Sequence, residues 1–127
     1  RNSIPMGSES VLFVDDEEAL VDIGMQYLEL LGYQVTGFTS SIDALQAFKQ
    51  EPEKYDLVIA DQTMPKMTGL EMSKQMLQIR DNVPIIICSG FSDQLLASNP
   101  EDHGIKKFLM KPLITEQMAV AIREVLD

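Results

Sequence analysis

The sequence predicts an α/β domain built on a parallel sheet with helices on both faces. Three observations predict it. Four short apolar runs recur, "VLFV" at 11–14, "DLVIA" at 56–60, "PIIIC" at 84–88 and "FLM" at 108–110. They are rich in Val and Ile and do not alternate with polar residues, as expected of strands covered on both faces. Segments with helical spacing separate them. Counting a weaker strand, "YQVTGF" at 33–38, strand and helix alternate five times, and right-handed crossovers then lay each strand parallel to the last.

Residues 1–8, "RNSIPMGS", carry no apolar signal core and read as linker or as residues left by expression; the domain is expected over 9–127. After the first strand, Leu20, Ile23, Tyr27, Leu28 and Leu31 fall three or four apart and predict a helix from Glu17 to Leu31, stopped by Gly32. Ile42, Leu45 and Phe48 do the same for Ser41–Gln50. Thr68 with Glu71 three residues on has the form of a capping box, opening a helix to about Ile79 with Met72, Met76 and Ile79 on one face. After the fourth strand, a short helix is expected from about Ser92, with Ser92 or Asp93 as its cap, to Ser98. Asn99-Pro100 ends it, because proline lacks an N–H and disfavours helical geometry at the residue before it. A single turn through Glu101–His103 then precedes Gly104. The last helix should run from about Thr115 to Leu126 and bury Met118, Ile122 and Val125.

At 127 residues the chain is one domain by length, and its formal charge of −10 repels nucleic acid and anionic lipid. The ten Lys and Arg are scattered rather than striped, so no nucleic-acid partner is expected. No run of about 18 or more apolar residues suggests membrane insertion. Cys88 is the single cysteine, which excludes an internal disulfide and fits a reducing, cytoplasmic compartment. It reads as core packing, as do most of the eight Met residues; His103, with no partner His or Cys, reads as a surface residue.

In open parallel sheets, ligands bind at the carboxyl ends of the strands. Asp15-Asp16 follow the first run, Asp61 the third, Ser89 the fourth and Lys111-Pro112 the fifth, so these side chains should converge on one edge. Three carboxylates brought together repel one another, and a hard divalent cation such as Mg²⁺ would let all stay ionised. Lys111 adds a compact positive charge for Asp61 or for a phosphoryl oxygen. A carboxylate can accept a phosphoryl group as an aspartyl phosphate. Glu17 and Glu18 are more simply acids favoured by the positive end of a helix dipole.

Four stretches in this order, "VDDEEAL", "DLVIADQTMPKMTGLE", "PIIICSGFSD" and "FLMKPL", resemble the receiver domains of two-component signalling over residues 9–127. The resemblance implies a flavodoxin-like (CheY-like) three-layer sandwich, with a five-stranded sheet of order 2-1-3-4-5 and five helices. It implies that Asp61 is the phospho-acceptor and that Asp16 binds Mg²⁺ directly while Asp15 acts largely through water. The Thr63 carbonyl would complete the metal site, and Ser89 and Lys111 would contact the phosphoryl group. Phe108, three before Lys111, stands where receivers often carry a switch aromatic; lacking a hydroxyl, it gains packing but no hydrogen bond when it turns inward. Gly69 is expected to let the chain turn into the next helix.

The implied function is a signalling domain rather than an enzyme on external substrates, with self-catalysed phosphorylation and dephosphorylation. Its partner would be a histidine kinase or phosphotransfer domain, with homodimerisation left open. "CSGFSD" and "FLMKPL" resemble receivers joined to sensor histidine kinases; a single-domain regulator also fits, and the start without Met favours the hybrid-kinase context. Three rivals are weighed. A phosphatase-like enzyme would need an acid two residues after Asp61, where Thr63 stands. A flavodoxin-like cofactor binder would need a phosphate-cradling loop where "DDEE" stands. A degenerate receiver acting only as a binding module is opposed by intact Asp61, Ser89 and Lys111.

Overall fold

A computed structural model describes residues 4–90, 97–112 and 116–127. The elements are β1 (Ser10–Val14), α1 (Glu18–Leu30), β2 (Gln34–Phe38), α2 (Ser41–Gln50), β3 (Leu57–Asp61), α3 (Gly69–Ile79), β4 (Ile85–Ser89), a 3₁₀ helix (Pro100–His103), β5 (Lys107–Met110) and α4 (Glu116–Leu126). All four strand pairings are parallel, in the order β2-β1-β3-β4-β5. This is the flavodoxin-like sandwich with the expected strand order. Among the described residues there are four α-helices rather than five. The helix expected over Ser92–Ser98 falls mostly on residues 91–96, outside the described ones, as does Thr115 at the expected start of α4. The turn expected before Gly104 is the 3₁₀ helix, with Asn99 as its N-cap and Gly104 left-handed at φ 74°.

Because strand side chains alternate between faces, the three central strands feed two cores. Leu12, Val14, Val58, Ala60, Ile85 and Ile87 meet Leu45 and Phe48 of α2 and Met72 and Met76 of α3. Val11, Phe13, Leu57, Ile59, Ile86 and Cys88 meet α1 and Met118 and Ile122 of α4. The sheet interior is therefore dry, and polar side chains can approach one another only at its ends.

The α1 face differs from the expected one. Val21, Gly24 and Leu28 are its buried residues, whereas Ile23 is 48% exposed and Leu20 and Tyr27 are half-buried. The cause is Gly24, which lies on the Phe13 ring: a Cβ there would sit 2.5 Å from Cζ of Phe13. Bare backbone against an aromatic ring draws the helix in on that side and rolls Leu20, Ile23 and Tyr27 outward. Apolar periodicity alone could not separate the two faces. Ile42 of α2 and Ile79 of α3 are likewise exposed, and Val125 of α4 is half-buried. The capping box of α3 forms as expected: Thr68 Oγ1 accepts from the Glu71 N–H at 3.2 Å, and a Glu71 carboxylate oxygen accepts from the Thr68 N–H at 2.9 Å. Such a cap stabilises by about 1 kcal/mol. No helix among the described residues is long and apolar enough to cross a membrane.

Candidate functional site

Asp15, one residue past β1, is fully buried; its N–H donates to the Phe38 carbonyl and its Oδ1 accepts from the Glu17 N–H at 3.0 Å. Its Oδ2 has no hydrogen-bond partner among the described residues, and the Lys111 ammonium stands 3.7 Å away. Asp61 is the last residue of β3, paired with Cys88 and 3% exposed. Its Oδ1 lies 3.1 Å from Lys111 Nζ. Asp16 is exposed beside them, and one carboxylate oxygen from each of Asp15, Asp16 and Asp61 lies within 4.8 Å of the others. Ser89 ends β4, and its carbonyl accepts from the Lys111 N–H at 3.0 Å; its hydroxyl is buried without a partner among the described residues. Thr63 is exposed, with its backbone N–H close to the Asp61 carboxylate.

Strand ends thus bring Asp15, Asp16, Asp61 and Lys111 together, with Ser89 on the neighbouring strand. Phe108 stands apart: half-buried, it packs against the core on the α2 and α3 side, its ring centroid 6.0 Å from that of His103. His103 is exposed, and Cys88 is fully buried, its thiol pushed up by burial and by the Asp61 charge.

One ammonium serves two buried carboxylates. Burial pushes the Asp61 carboxyl above its ordinary range, aided by the Asp16 charge and only partly offset by Lys111 and the Thr63 N–H. Burial likewise pushes Asp15 up, against the Glu17 N–H and the Lys111 charge. For Lys111, burial acts downward, but its hydrogen bond to Asp61 and the charges of Asp15 and Asp61 outweigh it, and its net shift is upward. The cluster is short of positive charge.

The loop after Asp61 is tied at several points. The Gln62 carbonyl accepts from the Gly69 N–H at 3.0 Å, and the Gln62 amide oxygen accepts from the Leu70 N–H at 2.9 Å. Gly69 stands where the chain enters α3, as its first residue, and is not among the positive-φ residues. What demands glycine there is proximity, since a Cβ would sit 2.5 Å from the Asp61 carbonyl oxygen. Before Gly69 the chain turns at Lys66, the one positive-φ non-glycine among the described residues, at 70°. With the Met67 N–H donating to the Pro65 carbonyl at 2.7 Å, Lys66 is the centre of a γ-turn of the strained hand. Left-handed backbone at such a residue costs on the order of 1–3 kcal/mol and persists only where its surroundings over-determine it. The buried Ser41 hydroxyl, donating to the Met67 carbonyl at 2.8 Å, is one such constraint. Ser41, Gln62 and Lys66 were missed in the sequence; "PKM" beside the acidic residue was the only signal, and it names no partner.

The response regulator receiver domain model matches residues 11–123. This chain belongs to that family. It is 31% identical over 116 residues to the chemotaxis protein CheY of Thermotoga maritima, covering 91% of this chain and 95% of that one. It is 30% identical over 121 residues to the sensor kinase CckA of Brucella abortus, covering 95% of this chain and 13% of the kinase. A response regulator receiver domain protein from Clostridium thermocellum superposes with a TM-score of 0.84 at 29% identity, covering 93% of this chain and 94% of that chain. The receiver is a phospho-accepting signalling domain of two-component systems. Receiver domains bind Mg²⁺ through an acidic pocket, and the residues here fit that ion. The donors are hard oxygens; among the described residues, one buried carboxylate oxygen of Asp15 has no hydrogen-bond partner and the pair of buried acids has one ammonium between them.

Proposed function

We propose that this receiver takes a phosphoryl group onto Asp61 from a phosphohistidine of a histidine kinase or phosphotransfer domain. The observation that carries the reading is the placement of Asp61: rigid at a strand end, with one oxygen on Lys111 at 3.1 Å and the oxygens of Asp15 and Asp16 within 4.8 Å. Asp61 attacks phosphorus; the new O–P bond forms as the P–N bond breaks, and the imidazole nitrogen of the donor keeps the electron pair. Asp15, Asp16, Asp61 and the Thr63 carbonyl would hold Mg²⁺, with Asp15 acting largely through water. The ion supplies charge neutralisation for the phosphoryl oxygens. Lys111 exchanges its contact with Asp61 for a phosphoryl oxygen, and the unpartnered Ser89 hydroxyl donates to another. Dephosphorylation is the attack of water on the same phosphorus, in the same site, and both reactions are self-catalysed. Engagement of Ser89 gives the switch its first displacement, and Phe108 answers by turning inward, gaining packing alone.

The outward stripe of α1 supports a helical partner. Leu20, Ile23, Tyr27 and Leu30 recur at spacings of three and four, Ile23 and Leu30 are exposed, and the helix starts beside Asp16. A phosphodonor helix laid there would bring its histidine over Asp61. The likeness to a sensor kinase over 95% of this chain supports a hybrid-kinase context, and the free thiol of Cys88 fits a reducing cytoplasm.

Incubation with a small phosphodonor, with and without Mg²⁺, tests the reading. We expect Mg²⁺-dependent incorporation of hydroxylamine-labile phosphate, abolished in Asp61→Asn, and Mg²⁺ affinity weakened in Asp16→Ala. Labelling that persists in Asp61→Asn places the acceptor elsewhere.

A further inference from the structure

We infer that Ser41, at the start of α2, is a positioning residue for the metal-binding loop. It acts by holding the strained γ-turn at Lys66 that follows the Thr63 carbonyl. The inference rests on the site reading above and adds a residue from an element that contributes nothing else to the site.

Three facts support it. Ser41 is buried, yet its hydroxyl hydrogen bond goes 26 residues away, to the Met67 carbonyl at 2.8 Å, rather than to its own helix. The helix cap is supplied by Ser40, whose side chain accepts from the Asp43 N–H, so Ser41 is free of that duty. Its acceptor is the residue immediately after the single left-handed non-glycine among the described residues.

Between Gln62 and Gly69 the loop is closed at its base by the Gly69 N–H to the Gln62 carbonyl. Met64 and Met67 anchor it to the core, at 6% and 9% exposure, while Thr63, Pro65 and Lys66 face solvent. The γ-turn is unfavourable for lysine and would relax if released. The hydrogen bond from Ser41 clamps its C-terminal side, and Met64 and Pro65 connect the turn to Thr63. A loop that relaxes at Lys66 therefore loosens the Thr63 carbonyl, while the carboxylates of Asp15, Asp16 and Asp61 keep their own supports. Groups that hydrogen-bond metal ligands and fix their orientation change metal affinity markedly, and here the constraint reaches the Thr63 carbonyl through the loop backbone.

The test uses Ser41→Ala, Lys66→Gly and the double variant of the full chain. In Ser41→Ala we expect the Kd for Mg²⁺, read by titration, to rise about tenfold. In metal-free protein, hydrogen exchange at the Met67 amide should quicken by a similar factor. Because glycine adopts φ near 70° without strain, Lys66→Gly in the Ser41→Ala background should restore most of both quantities. A role in stability alone would not produce that rescue. Parent-like Mg²⁺ affinity and Met67 exchange in Ser41→Ala overturn the inference, and so does failure of Lys66→Gly to recover either. If the parent takes up no Mg²⁺, the reading of the site falls and this inference with it. Parent binding with an unaffected Ser41→Ala sinks the inference alone.

Discussion

The two edges of the sheet carry the same kinds of charged group and treat them in opposite ways. At the amino edge, the Arg123 guanidinium donates to both Glu9 oxygens at 2.8 Å, to Asp127 at 3.1 and 2.8 Å and to the Tyr33 hydroxyl at 3.2 Å. Arg80 there donates to the Tyr55 and Pro52 carbonyls at 2.6 and 3.1 Å. The hydrogen bond from Arg123 holds the Glu9 carboxyl down at about 2, against a smaller opposing effect of burial. At the carboxyl edge, burial pushes Asp15 and Asp61 up instead, and polar atoms of Asp15 and Ser89 have no partner among the described residues. Charge that serves the fold is matched with hydrogen bonds on the spot. Charge that serves chemistry is left with capacity to spare, and the domain bears the energetic cost.

Opposite mutational signs at the two edges would sharpen this contrast. The largest effect is expected from Arg123→Ala, which parts Glu9 from α4 and should destabilise by about 2 kcal/mol in urea unfolding, given charged, multiple and partly buried hydrogen bonds. A loss no greater than that of an ordinary surface ion pair would break the contrast at the amino edge. Asp61→Asn should act the other way and stabilise the metal-free domain by about 1 kcal/mol, because it removes a buried charge that is short of partners. The sign of its pH dependence follows from the raised carboxyl. The unfolded chain releases the Asp61 proton first, so the advantage of Asn develops as pH rises above 3.8 and is absent below it. A less stable Asp61→Asn at neutral pH would show that Lys111 compensates the site fully.

The smallest effect is expected from Glu9→Gln, under about 1 kcal/mol. Because folding lowers the Glu9 carboxyl from 4.5 to about 2, its contribution is present above pH 4.5 and lost as pH falls through 2. The stability difference between parent and variant should therefore close across that window in acid unfolding curves. A constant offset there would mean that Glu9 stabilises by packing rather than charge.

The strands were legible because burial on both faces leaves unbroken apolar runs, and the strand ends then located Asp15, Asp16, Asp61, Ser89 and Lys111 without any contact being known. The capping box of α3 was legible because Thr68 and Glu71 are three residues apart and bond each other. The inward face of α1 was not, since the helix is apolar on two sides and the choice between them depends on Gly24 meeting Phe13, a residue of another element. The tie from Ser41 to Met67 was hidden for the same reason, compounded by a left-handed lysine, which local propensity disfavours. Local rules read what neighbours in sequence decide; packing between elements decided the rest.

The contact between Gly69 and the Asp61 carbonyl bears on how mutational screens of this domain should be read. The three atoms nearest a Cβ at residue 69 are all backbone: the Asp61 carbonyl oxygen at 2.5 Å, and its carbon and the Cα of Gln62 at 3.2 Å. At Gly37 the nearest atoms belong to side chains, Met25 and Val21, and the flexible Met25 can move. A substitution at 69 has no such outlet and displaces the peptide that carries Asp61, the proposed acceptor. If Asp61 is the acceptor, as proposed, residue 69 would rank beside it in a scan scored by phosphate uptake alone; only a second score for folding would tell a displaced Asp61 from a missing one.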